Sequence, residues 1–208
     1  MVQYSKDVLN AGYVRLLEHM GGDQAVVRNA RRCWQSEDKA TPESDARLIR
    51  HLLNLRHMSP FEAMVFTFDV QAPIFVARQW LRHRMGSPME LSLRYCVADN
   101  KYYIPHNLEP EILQQWVGMH DMLFATYNRW INEGVKREQA RSILPLGTYT
   151  KFYYTVNGSS LINFLRLRTA PGAQWEMRQY AFAVLDLVEQ VAPITFGEVR
   201  RRLEDNSL

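Results

Sequence analysis

The chain has 208 residues, enough for one domain with a substantial buried core. Hydrophobic residues make up 47% and charged residues 23% of it, the balance of an ordinary soluble globular protein, which excludes the disordered and membrane-spanning classes. A formal net charge of +3, from 25 Lys and Arg against 22 Asp and Glu, is too small to argue for a nucleic-acid partner.

The first helix signal is Gly22-Asp23 ahead of Gln24 to Trp34, which reads as a capped helix. Thr41-Pro42-Glu43-Ser44 opens a second one. Thr41 can cap it, Pro42 suits its first position, and Glu43 puts a carboxylate in the first turn. Leu48, Ile49, Leu52, Leu53 and Leu55 form its apolar face, with an end expected near Arg56-His57. Ser59-Pro60 breaks the chain. Glu62 to Gln71 alternates with period two and is rich in Phe and Val, so a strand is predicted. Pro73 to about Arg84 is predicted as helix, and Gly86-Ser87-Pro88 as loop.

A long amphipathic helix is predicted from Glu109 to Gly134 and a shorter one from Lys136 to Ile143, stopped before Pro145. Tyr149 to Val156 reads as strand, Asn157-Gly158-Ser159 as turn, and Ser160 to Arg168 as helix. After a break at Pro171-Gly172, Gln174 to Val191 is the final long helix. With no repeat, linker or low-complexity segment, these elements describe one α+β domain in which helices outnumber strands.

Cys33 and Cys96 are too few for a disulfide framework and stand at no metal-ligand spacing, so reduced thiols in a cytoplasmic protein are expected, with no metal site. Met1 to Asp7 carries charges with no apolar segment after them, so no secretory signal is expected. No apolar run is long enough to span a bilayer. His19, His51, His106 and His120 show no ligand spacing, Trp116, Tyr127 and Trp130 sit at helical spacing and read as packing, and Arg200-Arg201-Arg202 reads as a solvated helix end. There is no G-x-G-x-x-G and no Walker loop.

The chemistry is concentrated between Arg78 and Arg94, where four arginines fall within seventeen residues. Arginine offers planar, bidentate donors for phosphates and carbonyl edges, and Gly86-Ser87-Pro88 lets backbone approach a ligand closely. Charge alone equally describes a solvated face. The order of the residues is more specific. Arg82, His83, Arg84, Ser87, Glu90, Ser92 and Arg94 resemble the signature R-H-R-x-x-S-x-N-E-x-S-x-R of the flavin-dependent thymidylate synthases, with Met89 in place of the Asn.

The resemblance extends along most of the chain. It includes His57-Met58-Ser59-Pro60-Phe61-Glu62, with Ala63 where His is common, and Ala72 to Trp80. It continues through Ala140-Arg141-Ser142-Ile143-Leu144-Pro145, Asn163 to Arg168 and Ala173-Gln174-Trp175-Glu176. Gly172 stands where many members have His.

The resemblance implies an α+β fold with a small, largely antiparallel sheet flanked by helices, assembled as a homotetramer with shared active sites. It implies conversion of dUMP to dTMP with FAD as cofactor, and methylenetetrahydrofolate and NADPH as co-substrates. Carried over residue by residue, Gln79, Arg82, Glu90, Ser92, Arg94, Arg141 and Arg168 match positions that hold dUMP. His57, Ser59, His83, Arg84, Glu90, Asn157 and Asn163 match positions around FAD. Arg168 is assigned the catalytic task of stabilising charge at the uracil O4/N3 edge. Ser92 is the second catalytic candidate, and the resemblance favours it as a ligand contact over a nucleophile, since a nucleophilic serine needs a base within reach. Cys96 reads as a small buried thiol.

Two alternatives stay open. The same scaffold can act on another pyrimidine nucleotide, such as UMP or dCMP. A flavin- or nucleotide-binding paralogue without turnover is the other, favoured by Met89, Ala63 and Gly172. RNA binding by the arginine cluster is disfavoured by the absence of a basic tail and of an RNP-like aromatic pattern.

Overall fold

A computed structural model describes residues 4–33, 35, 41–205 and 207–208. The chain opens with two strands, β1 (Tyr4–Val8) and β2 (Gly12–Met20), followed by α1 (Asp23–Arg32) and α2 (Pro42–Asn54). A 3-10 turn, Ser59–Ala63, leads into β3 (Val65–Pro73), α3 (Ile74–Trp80) and β4 (Gly86–Glu90). Then come α4 (Pro110–Asn132), α5 (Arg137–Ala140) with a 3-10 turn at Arg141–Ile143, β5 (Tyr149–Asn157), α6 (Gly158–Arg168), α7 (Trp175–Glu189) and α8 (Pro193–Glu204).

The five strands form one antiparallel sheet in the order β1-β2-β3-β5-β4. Alternation along β3 and β5 turns Phe66, Phe68, Val70, Phe152, Tyr154 and Val156 inward, where they are buried against the helices. Thr67, Asp69, Tyr153 and Thr155 occupy the other face, which the described helices leave partly open. A second, smaller cluster of Ala98, Phe124, Tyr127 and Ala140 joins α4 and α5 to the segment after β4. The Ala98 N–H donates to the Tyr127 hydroxyl at 3.1 Å, which fixes that segment. Tyr127, Trp116 and Trp130 are packing residues, as their spacing suggests. Among the described residues no helix is long and apolar enough to cross a membrane.

Sequence and structure agree closely on α2, β3, α4, β5 and α6. Thr41 caps α2 in a capping box whose partner is Ser44, with Pro42 at the first turn. Elsewhere the structure corrects the sequence reading. The hairpin β1-β2 is not signalled in the sequence, because β1 is mostly exposed and polar and a bulge between Leu16 and Glu18 breaks the alternation of β2. Gly86-Ser87-Pro88 is not a loop but the start of β4, an edge strand that tolerates Pro88 because it pairs on one side only, with β5. Helix α3 ends at Trp80, short of Arg84, and α1 ends at Arg32; Trp34, where a helix end was expected, lies outside the described residues.

The predicted helix from Gln174 to Val191 is α7, and a further helix that the sequence reading did not place follows it. Pro193 starts α8, and the Asp23 carboxylate caps it by accepting from the N–H groups of Ile194 and Thr195 at 2.8 and 2.9 Å. Asp23 itself lies inside α1, whose N-cap Gly22 offers no side chain. Nor is Arg200-Arg201-Arg202 simply solvated. Arg202 is buried and pairs with Glu198 at 2.8 Å, and Arg200 pairs with Asp186 and Glu189.

Trp80 is fully buried where these layers meet. Its ring contacts Phe152 and Tyr154 of β5, Phe164 of α6 and Tyr180 of α7, at centroid distances of 5.4, 6.0, 4.8 and 6.3 Å. Replacing so large a core residue leaves a cavity that the surrounding layers cannot fill. Trp80→Ala is expected to lower unfolding free energy by about 3–5 kcal/mol, read from urea denaturation followed by circular dichroism.

Candidate functional site

Helix α3 and the C-terminal end of α6 lie side by side because Trp80 packs on Phe164. That contact brings three of the sequence candidates together. The Arg168 Nε donates to His83 Nε2 at 2.8 Å, and its Nη2 donates to the Gln79 carbonyl at 2.9 Å. The Gln79 amide donates in turn to Gln174 Oε1 at 2.6 Å, just before α7. His83 packs edge-on against Phe164, and the Tyr154 hydroxyl donates to its carbonyl at 3.1 Å. Gly86 permits this crossing, since a Cβ there would stand 2.4 Å from Tyr154 Cζ.

Electrostatics explains the pairing of two basic residues. Burial, and then the Arg168 cation, lower the pKa of His83 to about 4. Neutral at physiological pH, its Nε2 is free to accept, so the ring proton sits on Nδ1. Burial also lowers the pKa of Arg168, but from so high a starting value that it remains cationic. Two of the roughly five guanidinium N–H groups are used by His83 and Gln79, and the rest are available to a ligand.

A second group lies beyond β4. Glu90 Oε1 accepts from the Thr150 hydroxyl at 2.8 Å and borders a groove of about 360 Å³ with Tyr13, Asp69, Lys151 and Tyr153. Ser92 and Arg94 occupy the following turn, where Ser92 Oγ accepts from the Arg94 N–H at 3.4 Å. Among the described residues no histidine or carboxylate hydrogen-bonds Ser92 Oγ, which leaves it without an activating base. Half-buried Cys96 donates its thiol to the Ser92 carbonyl at 3.1 Å. Arg94 lies 4.0 Å from Glu138, and Arg141 is exposed on the 3-10 turn just after α5. The stretch from Arg141 leads to Leu146, whose carbonyl accepts from the Phe75 N–H of α3 at 3.2 Å.

The third group borders two further hollows. Arg84, Ser87 and Asn157 line a shallow groove of about 390 Å³. Asn157 also caps α6, its Oδ1 accepting from the Ser160 N–H at 2.8 Å, so part of its polarity serves the fold. Asn163, Ser159, Arg56, Met58 and Arg166 line a cavity of about 420 Å³, and Arg166 donates to Asn163 Oδ1 at 3.0 Å. His57 and Ser59 are exposed on either side of Met58, and Arg82 is exposed beside His83. Met89 is exposed on the open face of β4, across from Tyr153, and a Cβ at Gly172 would meet nothing within 4 Å.

Gln174, Tyr154 and Thr150 buttress these groups without having been singled out from sequence. Gln174 falls within the matched segment Ala173 to Glu176, whereas the other two act through pairings that only the fold creates. His106 stacks on Trp175 at 4.0 Å, next to Gln174, so this histidine has a defined aromatic partner.

Comparison with known proteins bears on the same residues. The family described as "Thymidylate synthase complementing protein" matches residues 15–194. The chain is 44% identical to a flavin-dependent thymidylate synthase of Thermotoga neapolitana over 91% of each chain. It is 41% identical to that of Thermosipho africanus, again over 91% of each. Against that of Thermus thermophilus it is 40% identical, over 94% of this chain and 78% of the relative. Among solved structures, the UMP/dUMP methylase PolB from Streptomyces cacaoi, bound with 5-Br dUMP, superposes with a TM-score of 0.84 at 30% identity. That match covers 94% of this chain and 97% of the other.

Protonating His83 would remove its acceptor and set two cations against each other. The folded state therefore resists protonation. The stability this pair contributes is complete above the ordinary histidine pKa of about 6.5 and is lost as pH falls from there toward about 4. In ¹⁵N-detected NMR the His83 ring should show an Nδ1–H tautomer that does not titrate between about pH 8 and 5.5, and Arg168→Gln should move its midpoint upward.

Proposed function

This chain belongs to the family of flavin-dependent thymidylate synthases, and we propose that it methylates dUMP to dTMP, with methylenetetrahydrofolate as carbon donor and NADPH as reductant. The observation that carries this reading is the Arg168 guanidinium, fixed by His83 and Gln79 with further N–H groups not used in those two bonds. Residues 1–208 act as one domain in this reading, in the cytoplasm, with dUMP and other copies of the chain as the partners, and with neither nucleic acid nor a membrane.

Support for nucleotide binding is the donor chemistry. Arg82, Arg94 and Arg141 are exposed cations suited to a phosphate monoester. Gln79, Glu90 and Ser92 supply the polar contacts a nucleoside needs. Arg168 then faces the O4/N3 edge of the uracil. As C5 attacks the one-carbon unit, negative charge gathers on that edge, and an already oriented cation stabilises it without reorganising. Neutral His83 fixes the cation's direction without cancelling its charge. Ser92 acts by contact with the ligand.

The hollows beside Asn157 and Asn163 fit FAD by their donor set. Arg84, Asn157 and Asn163 line them and offer cationic and amide groups for its phosphates, ribityl chain and polar ring edge. His57, Ser59, His83 and Glu90 lie outside these two hollows and are proposed as further FAD contacts on the family resemblance. Bound there, FAD supplies the hydride that completes the methyl group. The candidate residues fall in separate patches of one chain. The open sheet face carries exposed Met89 and Tyr153, which supports a homotetramer in which neighbouring copies complete each site.

A second reading, methylation of UMP, is favoured by one comparison. The same PolB methylase bound with 5-Br UMP superposes with a TM-score of 0.80 at 30% identity. Both readings meet in one assay: purified protein with FAD, methylenetetrahydrofolate and NADPH, given either dUMP or UMP, with products separated by chromatography. dTMP formed only when all components are present is the expected result. 5-Methyl-UMP as the main product would move the assignment to ribonucleotides, and no product from either would overturn it.

A further inference from the structure

A cavity of about 360 Å³ between α6, α7 and α8 lies next to the hollow proposed for FAD and shares Arg166 and Arg202 with it, while Arg178 belongs to this cavity and not to that hollow. Four arginines line it, Arg166, Arg178, Arg200 and Arg202, against one acidic side chain, Glu204, with Leu208, the last residue of the sequence, also on the wall. Two of the four are engaged by the fold. Arg200 is 2.8 Å from Asp186 and 2.7 Å from Glu189, and Arg202 is 2.8 Å from Glu198. The other two are not neutralised. Arg166 donates to the uncharged Asn163 side chain. Arg178 forms no ion pair among the described residues, and its Nε is buried with no hydrogen-bond partner.

A buried guanidinium N–H without an acceptor is unfavourable, and folds rarely retain one without use for it. Packing alone does not call for arginine here. Arg178 and Phe182 are one turn apart on α7 and line the same wall, so an apolar residue at 178 would continue that wall. Arg166 faces the same space from α6. Arg200 and Arg202 reach it from α8 while keeping their own carboxylates. The result is a positively charged hollow with an apolar side, large enough for a small organic anion and at the lower end of ligand-pocket volumes.

We propose that this cavity is a binding site for a multiply charged oxyanion, phosphate or carboxylate in chemistry, held between the guanidinium groups of Arg178 and Arg166. Planar N–H pairs on two walls suit a ligand with two anionic groups or one dianionic head. The Phe182 side accepts a short carbon skeleton.

The test is isothermal titration calorimetry on the full chain saturated with FAD and dUMP, so that nucleotide sites are blocked. The probes are inorganic pyrophosphate and citrate. Saturable binding near one per chain is expected, weakened about tenfold or more by Arg178→Gln and by Arg166→Gln, and weakened less by Arg178→Lys, which keeps the charge but not the planar N–H pair. Arg178→Gln should keep the wild-type melting temperature and turnover. Tighter pyrophosphate binding identifies a phosphate ligand, and tighter citrate binding a carboxylate. Absence of saturable heat with both probes overturns the proposal. So does wild-type affinity in either Gln variant.

Discussion

The packing of Trp80 is the constraint on which the rest of the molecule depends. This one side chain touches the sheet, α6 and α7 and closes the space between them. Because it is the last residue of α3, burying it also decides where the chain turns next. His83 is drawn under the Tyr154 hydroxyl, and β4 crosses that ring at Gly86. The same burial places the end of α6 beside α3, so Arg168 meets His83 and Gln79. Core packing and site geometry are therefore one arrangement, with apolar contacts on one side of α3 and polar ones on the other.

The pairing of Arg168 with a neutral imidazole has a chemical logic. A carboxylate in place of His83 would orient the guanidinium equally well, but its charge would offset the positive field aimed at a ligand. An imidazole kept neutral by burial, and by the arginine itself, accepts a hydrogen bond and leaves that field intact. The Gln79 carbonyl does the same through the backbone. A cation so arranged is suited to charge that appears during a reaction on an otherwise neutral ring, as in the reading proposed for the uracil edge. On the neighbouring α8, by contrast, Arg200, Arg201 and Arg202 meet carboxylates, which cement the helix.

How much of this was legible in the sequence depended on whether the signal was local. The α2 cap, the alternation of β3 and β5 and the periodicity of α4 are written in neighbouring residues, and structure and sequence agree there. β1 escaped because it is mostly exposed and polar, and β2 because a bulge interrupts its alternation. β4 escaped because Gly, Ser and Pro signal loops unless the strand is known to lie at an edge. α8 escaped because its cap comes from Asp23, at the other end of the chain. At the site, the arginine-rich stretch stood out by its pattern, and Gln79 and Arg168 were named from the family resemblance, Arg168 through the separate segment Asn163 to Arg168. That His83 would hold Arg168 was not readable, since the bond joins residues far apart in sequence and rests on a pKa set by tertiary burial.

The most direct test of this account is the turnover of Arg168→Ala, measured as dTMP formed per active site under saturating substrates. With the folded state and flavin content verified as wild-type, turnover is expected to fall by about 10²–10³, the equivalent of roughly 2.7–4 kcal/mol of lost transition-state stabilisation. Turnover within about threefold of wild type would contradict it, and would mean that the cation held by His83 and Gln79 is not aimed at the reacting ring.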